Sequence, residues 1–274
     1  MVGTLFIIAT PIGNLEDLSF RAVRVLKEAD RIACEDTRHT RRLLDHYGID
    51  RPLVSYHEHN EKERTAELLR ELEEGRTVAL VSDAGTPLIA DPGYRIVHAA
   101  RERGIPVSPI PGPSAIMAAL SAGGMATDAF LFAGFLPAKP GARRRALEAW
   151  HALEATLVFY EAPHRVVESL RAIAEVAGAR RVVVARELTK IHEEFLEGTA
   201  ASIADTLEAR PSIKGEFTIL VARAEAAPPA EPADIEAEVA ALMAGGTPRM
   251  DALKAVARRH GLSKREVYRK VEGG

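Results

Sequence analysis

Through residues 5–121, apolar runs of four or five residues alternate with amphipathic stretches of about ten, and Gly, Pro, Asp or Asn punctuates most junctions. Strand patterns fall at 5–9, 31–34, 53–56, 78–82 and 107–110, and helix patterns at 19–29, 37–46, 60–74, 93–103 and 114–121. Two parallel strands cannot be joined by a tight turn and need a crossover, usually a helix. This alternation therefore predicts βαβ units, a largely parallel sheet and an α/β fold class.

From 130 onward the rhythm changes. Strand patterns at 130–135, 156–160, 181–186, 193–197 and 216–222 have fewer helices between them, namely a pattern running up to 155 and another at 164–177. That implies a second, mixed sheet. The reading is of two α/β domains, 1–112 and 113–223. After them comes AEAAPPAEPAD at 224–234, a linker low in aromatic and β-branched residues.

The tail, 235–274, reads as short helices. Thr247 is placed to cap a helix with Pro248 at its first position, and Met250, Leu253, Val256 and Ala257 share one face before Gly261 ends it. Ser263 and Glu266 form a capping box for a second helix. The pair resembles a helix-turn-helix with a three-residue turn, and Arg258, Arg259, Lys264 and Arg265, among the basic residues of its outer face, are its nucleic-acid-binding candidates. The net charge of −3 hides this: residues 247–274 carry +5, leaving −8 on the rest.

A single cysteine, Cys34, excludes an internal disulfide framework and fits a reducing, cytoplasmic compartment. The N-terminal apolar run is about seven residues without a basic flank, so it reads as a strand rather than a signal peptide. No segment approaches the roughly twenty apolar residues a bilayer span needs.

The segment most suggestive of function is VALVSDAGTPLIADPG at 78–93, a buried strand ending in Asp83 and two turns rich in Gly and Pro. Loops at the carboxyl ends of parallel strands are where open α/β sheets hold ligands. Asp83 either meets a ligand's donors or caps the turn at Gly85, and Asp91 reads as a turn and cap residue. ATPIGN after the first strand is a ligand-facing loop or a plain connector, lacking the glycine spacing of a dinucleotide or Walker loop. In PGPSA, Ser114 contacts a ligand or simply caps a helix. CEDTRHTRR, YEAPHR and ARELTK each deliver mixed charge from a strand into a loop, as RNA-facing loops or as solvated ones. HEHNEKE lacks the histidine spacing of a helical zinc motif, and no metal is expected. Cys34, inside an apolar run, reads as buried and inert.

Taken together and in order, GTLFIIATPIGNLEDLS, ACEDTRHT, SDAGTPLIADPG, PGPSA, FYEAPHR, ARELTK and GEF resemble the tetrapyrrole methylase superfamily. Within it they are most similar to the bacterial ribosomal branch, whose members methylate the ribose 2′-oxygen of a cytidine in 16S rRNA. The resemblance implies S-adenosyl-L-methionine bound between two α/β domains, a homodimer, 16S rRNA or the small ribosomal subunit as substrate, and no metal. By position it implies a cofactor site of Pro11, Ile12, Gly13, Asp83, Thr86, Ser114, Ala115 and Tyr160. For the proton transfer that accompanies attack by a hydroxyl, the candidates are Asp36 and Glu187 as base, with Lys190, Arg38 and Arg165 as phosphate or oxyanion partners. Each is equally able to form an ordinary interdomain salt bridge. The alternatives are a methyltransferase for a tetrapyrrole or other small molecule and a ligand-sensing nucleic-acid-binding regulator. The arginines in the cleft loops and the 5% aromatic content favour RNA over a macrocycle.

Overall fold

The computed structural model describes residues 2–224 and 235–272. The chain divides into two compact units, Met1–Ala224 and Glu225–Gly274. Of the linker expected at 224–234, residues 225–234 lie outside the described residues.

The first half of the larger unit is a five-stranded sheet of β1 (Leu5–Ile8), β2 (Arg31–Cys34), β3 (Leu53–Ser55), β4 (Val78–Val81) and β5 (Val107–Ile110). Its order is β3-β2-β4-β1-β5, and every pair is parallel. Helices α1 (Phe20–Glu28) and α2 (Thr37–His46) cover one face, where Leu26 and Leu44 meet Ile8, Ile32 and Val81. Helices α3 (Glu61–Glu73) and α4 (Tyr94–Glu102) cover the other, where Leu68, Leu72 and Ile96 meet Leu5, Val78 and Leu80. Because both faces are covered, all four residues of β4 are buried, which is why VALV reads as an unbroken apolar run. The helices that follow the neighbouring strands β1 and β4 lie on opposite faces. Their loops part there, opening a crevice at the carboxyl edge.

The second half begins with α5 (Ala115–Ala122), which turns away from the first sheet to pack Ile116, Ala119 and Leu120 on Val158, Val183 and Leu220 of the second. That sheet holds β6 (Phe130–Phe135), β7 (Thr156–Glu161), β8 (Arg181–Arg186), β9 (Glu194–Thr199) and β10 (Phe217–Val221) in the order β6-β7-β10-β8-β9. Only β6 and β7 run parallel, so the sheet is mixed, as expected. Its other face is covered by α6 (Pro140–Trp150), α7 (Val166–Ala177) and α8 (Ala200–Glu208). Helix α6 stops at Trp150 rather than continuing to 155, and α8 has no counterpart in the sequence reading.

The smaller unit packs α9 (Ile235–Ala244), α10 (Arg249–Arg259) and α11 (Lys264–Glu272) around Ile235, Val239, Leu253, Val256 and Val267. The Ser263–Glu266 capping box is present: the Ser263 amide donates to Glu266 Oε2 at 2.8 Å, and the Glu266 amide to Ser263 Oγ at 3.3 Å. Three details differ from expectation. Pro248, not Thr247, is the cap position of α10 and supplies no side-chain bond; Met250 is half exposed, because the seam is filled by Ala252, Leu253, Val256 and Ala257; and four residues, not three, separate α10 from α11.

Candidate functional site

A cavity of about 330 Å³ opens between the two sheets of the larger unit, within the size range of small-molecule sites. The loops after β1 and β4 form one wall, and strands β7 and β10 with the loop after β8 form the other. The first wall is fastened across the crevice. The Thr10 and Gly85 backbones exchange hydrogen bonds of 2.9 and 3.0 Å, and the Thr10 hydroxyl donates to the Ser82 carbonyl at 2.9 Å. Gly85 sits at φ +84°, which a side chain disfavours. The turn after β4 is capped by the Ser82 hydroxyl, which donates to the Gly85 carbonyl at 2.9 Å. Asp83 instead accepts the Asp36 amide N–H at 3.1 Å, tying the ends of β4 and β2 together.

The two halves meet closely at Gly13. A Cβ there would lie 2.4 Å from Lys190 Cγ, 2.8 Å from Thr189 Oγ1 and 3.0 Å from the Leu188 carbonyl oxygen. The adjacent Asn14 amide donates to Thr189 Oγ1 at 3.1 Å. Lys190 spans Glu187 at 2.9 Å and Glu216 at 3.0 Å. Burial works to raise the Glu187 carboxyl, but Lys190 and the Glu216 amide outweigh it and hold the group below its ordinary range.

Of the expected cofactor residues, Ile12, Thr86, Ser114, Ala115 and Tyr160 line the cavity; Pro11, Gly13 and Asp83 do not, Gly13 packing against the loop after β8 and Asp83 accepting the Asp36 amide. Asp36 is the N-cap of α2, accepting from the Arg38 amide at 2.8 Å, and the Arg38 guanidinium pairs with it at 3.2 Å, which lowers its carboxyl. Arg165 is drawn into the fold: Nη2 donates to the Leu136 carbonyl, and Nε lies 3.5 Å from Oε1 of Glu161, whose side chain is fully buried. In the smaller unit Arg258, Arg259, Lys264 and Arg265 are all exposed, with Arg259 paired to Glu238 at 2.8 Å.

The lining also contains Asp91, which reads in the sequence as a turn and cap residue although Gly93 is the cap position of α4, and Phe135 and Glu216, to which the sequence assigned no role. Burial, then the charges of Glu35 and Asp83, push the Asp91 carboxyl up to about 6. Burial and the Asp91 charge push the Tyr160 phenol up to about 12. Glu35 is itself raised, by burial and then by Asp83. Among the described residues, the non-glycine residues at positive φ are Leu88, Ala90, Glu187 and Thr189. All four lie in the two loops facing each other across the cavity, and backbone strain of this kind gathers where surrounding structure holds a site in shape. The groups that hold a metal are not gathered anywhere among the described residues.

With that geometry, the similarity to known proteins is informative. Residues 4–204 match the model of the family described as tetrapyrrole (corrin/porphyrin) methylases. The chain belongs to this family. A relative from Mesorhizobium japonicum, named ribosomal RNA small subunit methyltransferase I, is 50% identical over 97% of this chain and 90% of its own length. A relative of the same name from Escherichia coli O157:H7 is 46% identical over 97% of this chain and 94% of its own. Among solved structures, the fold is shared by uroporphyrin-III C-methyltransferase from Thermus thermophilus, determined in complex with S-adenyl homocysteine. Its TM-score is 0.56 at 21% identity, over 80% of this chain and 97% of that one.

Proposed function

We propose that the chain transfers a methyl group from S-adenosyl-L-methionine to the ribose 2′-oxygen of a cytidine in 16S rRNA of the small ribosomal subunit. The observation that carries this reading is the cavity at the carboxyl edge of β1 and β4, with an apolar wall and carboxylates facing inward. Ile12, Ile89, Ala90 and Leu188 suit an adenosyl group, and Glu216 suits a cofactor bearing a positive charge. The near-full-length relatives named for small-subunit rRNA methylation support RNA as the acceptor over a tetrapyrrole.

Bound there, the cofactor would supply an electrophilic methyl carbon: a hydroxyl oxygen attacks it in line, the carbon–sulfur bond breaks and S-adenosylhomocysteine leaves. The protein must then hold that oxygen on axis and receive its proton. Asp91 is the acceptor best placed for this, because it lines the cavity and its carboxyl is more basic than an ordinary aspartate. Asp36 and Glu187, the candidates from sequence, are both held in the ionised form by partners, which makes them weaker bases. Glu187 and Lys190 act as a brace that positions Glu216 and the Gly13 loop. Exposed cations of the smaller unit, Arg258, Lys264 and Arg265, take up RNA phosphates.

A homodimer fits the exposed apolar side chains of Leu15, Phe20 and Ile191: Phe20 and Ile191 are each 98% exposed, and the Asn14–Thr189 bond brings the Leu15 and Ile191 loops together. The reading also places the protein in the cytoplasm, working without a metal. No helix among the described residues is long and apolar enough to cross a membrane.

The test is to incubate the protein with labelled S-adenosylmethionine and small ribosomal subunits and map the label by mass spectrometry. Label on a cytidine 2′-oxygen is expected. Cofactor binding without label on any rRNA would transfer the activity to a small-molecule acceptor.

A further inference from the structure

At the outer end of β6, the cavity wall carries an aromatic side chain that the fold has turned out of its natural place. In a regular strand, side chains alternate, so Leu131, Ala133 and Phe135 should share a face. Leu131 and Ala133 do pack on the helix-covered face, against the core beneath α6 and α7. Phe135 does not. Phe132 pairs with Val158 while Phe135 pairs with Tyr160, so three steps along β6 answer two along β7. The extra residue is a bulge, and Gly134 takes it up at φ +67°, where a Cβ would be strained although nothing lies within 4 Å.

The bulge moves Phe135 onto the face of Phe132 and Tyr160, and so onto the cavity. There its ring stands edge-on to Tyr160, centroids 5.8 Å apart at 61°, and Tyr160 is in turn held by Phe132 at 4.8 Å and 64°. Phe135 nevertheless remains 53% exposed. A side chain held on one side by an aromatic stack, with about half its surface in water at the rim of a cavity, presents a rigid apolar platform to whatever enters. The following residues add charge: Lys139, Arg144 and Arg145 are exposed within ten residues of it, at the start of α6.

We propose that Phe135 is a stacking platform for one unpaired nucleobase of the RNA substrate at the mouth of the cavity. The proposal rests on the RNA reading above. A ribose hydroxyl can reach the interior of a cavity walled by two sheets only if its nucleotide leaves the helical stack. Unstacking costs a few kcal/mol, and proteins that handle extruded or looped nucleotides offset it with an aromatic face. The exposed cations beyond Phe135 suit the phosphates flanking such a nucleotide, Lys139 lying four residues further along the chain. An apolar protein partner gives no use to those charges.

The experiment compares wild type with Phe135→Ala, Phe135→Leu and Phe135→Trp. Cofactor affinity is measured by calorimetry, and initial rates of methylation of small ribosomal subunits at saturating cofactor. Stacking is worth about 1–3 kcal/mol per base, so Phe135→Ala and Phe135→Leu should raise the KM for the subunit roughly 5- to 150-fold. Cofactor Kd should stay within about twofold, and Phe135→Trp should restore the wild-type KM. Full activity in Phe135→Leu would show that apolar bulk suffices and would overturn the proposal. So would a loss of cofactor affinity parallel to the loss of activity, which would give the ring to the adenine instead. If wild type binds cofactor but labels no RNA, it is the RNA reading that fails, an outcome distinct from either.

Discussion

Gly13→Ala probes the contact by which the two α/β halves enclose the cavity. The added methyl would fall 2.4 Å from Lys190 Cγ, 2.8 Å from Thr189 Oγ1 and 3.0 Å from the Leu188 carbonyl oxygen. Carbon–carbon contacts are comfortable near 3.5–4.0 Å, so Lys190 must give way by about 1 Å or more. A lysine stem alone could swing aside cheaply. This one cannot, because its ammonium is held by Glu187 and Glu216, and the Leu188 backbone oxygen crowds the methyl from another side. Overpacking of this kind costs about 1–3 kcal/mol. For a unit of this size about 2 kcal/mol lowers Tm by roughly 4–8 °C. Cofactor affinity should fall as well, since the displaced loop carries Leu188 of the cavity wall. The assay is a double-mutant cycle in thermal unfolding and in cofactor calorimetry. Lys190→Ala removes Cγ, so Gly13→Ala should cost less in that background by about 0.5 kcal/mol or more. A neutral Gly13→Ala, or costs that simply add, would refute the argument that this contact closes the site.

Asp91→Asn should uncover a pH-dependent penalty. The folded-state carboxyl titrates near 6 against an ordinary 3.8, so the folded protein holds this proton more tightly than the unfolded chain does. The stability this contributes is full below about pH 4 and is lost as pH rises through 6. The variant should therefore exceed wild type in urea midpoint at pH 7, with the gap closing by pH 4; a gap independent of pH would remove the strain from Asp91. Arg165→Met should act on stability, because it leaves the buried Glu161 carboxylate with the Ser169 hydroxyl and the Ala162 amide as donors but without its counter-charge, at a cost of about 1–3 kcal/mol. Partial rescue by Glu161→Gln is expected, whereas an unchanged Tm with weakened RNA binding would return Arg165 to the RNA surface. Lys264→Glu with Arg265→Glu should weaken subunit binding and flatten its salt dependence by about 0.7–0.9 for each phosphate no longer neutralised, with cofactor Kd unchanged. An unaltered salt slope would take α11 off the RNA.

What could be read from the sequence was what is decided within a few neighbouring residues. The bounds of β2, β5, β6 and β8 fall where the sequence places them, and in β2 and β8 the apolar run is the part that is buried. Helix α8 escaped because AASIADTLE dilutes its buried Ala200, Ile203, Ala204 and Leu207 with small residues; its one clear mark was Thr199 capping Ser202. Helix α9 is short and alanine-rich, with little amphipathic contrast to read.

The site was less legible, since its chemistry comes from groups far apart in the chain. DPG at 91–93 has the grammar of a turn, and Asp91 acquires its raised carboxyl from burial first and then from the charges of Glu35 and Asp83, which β2 and β4 deliver beside it. Asp83, with the clearer local signal, commits one carboxylate oxygen to the Asp36 amide. FLFAGF likewise alternates well enough to send Phe135 to the wrong face, and Gly134 is the one letter that hints otherwise. In each case the deciding partner lies on another strand. A loop of mixed charge after a buried strand can thus be recognised from sequence as a place where chemistry gathers, but which of its side chains enters the cavity is settled by register and bulge.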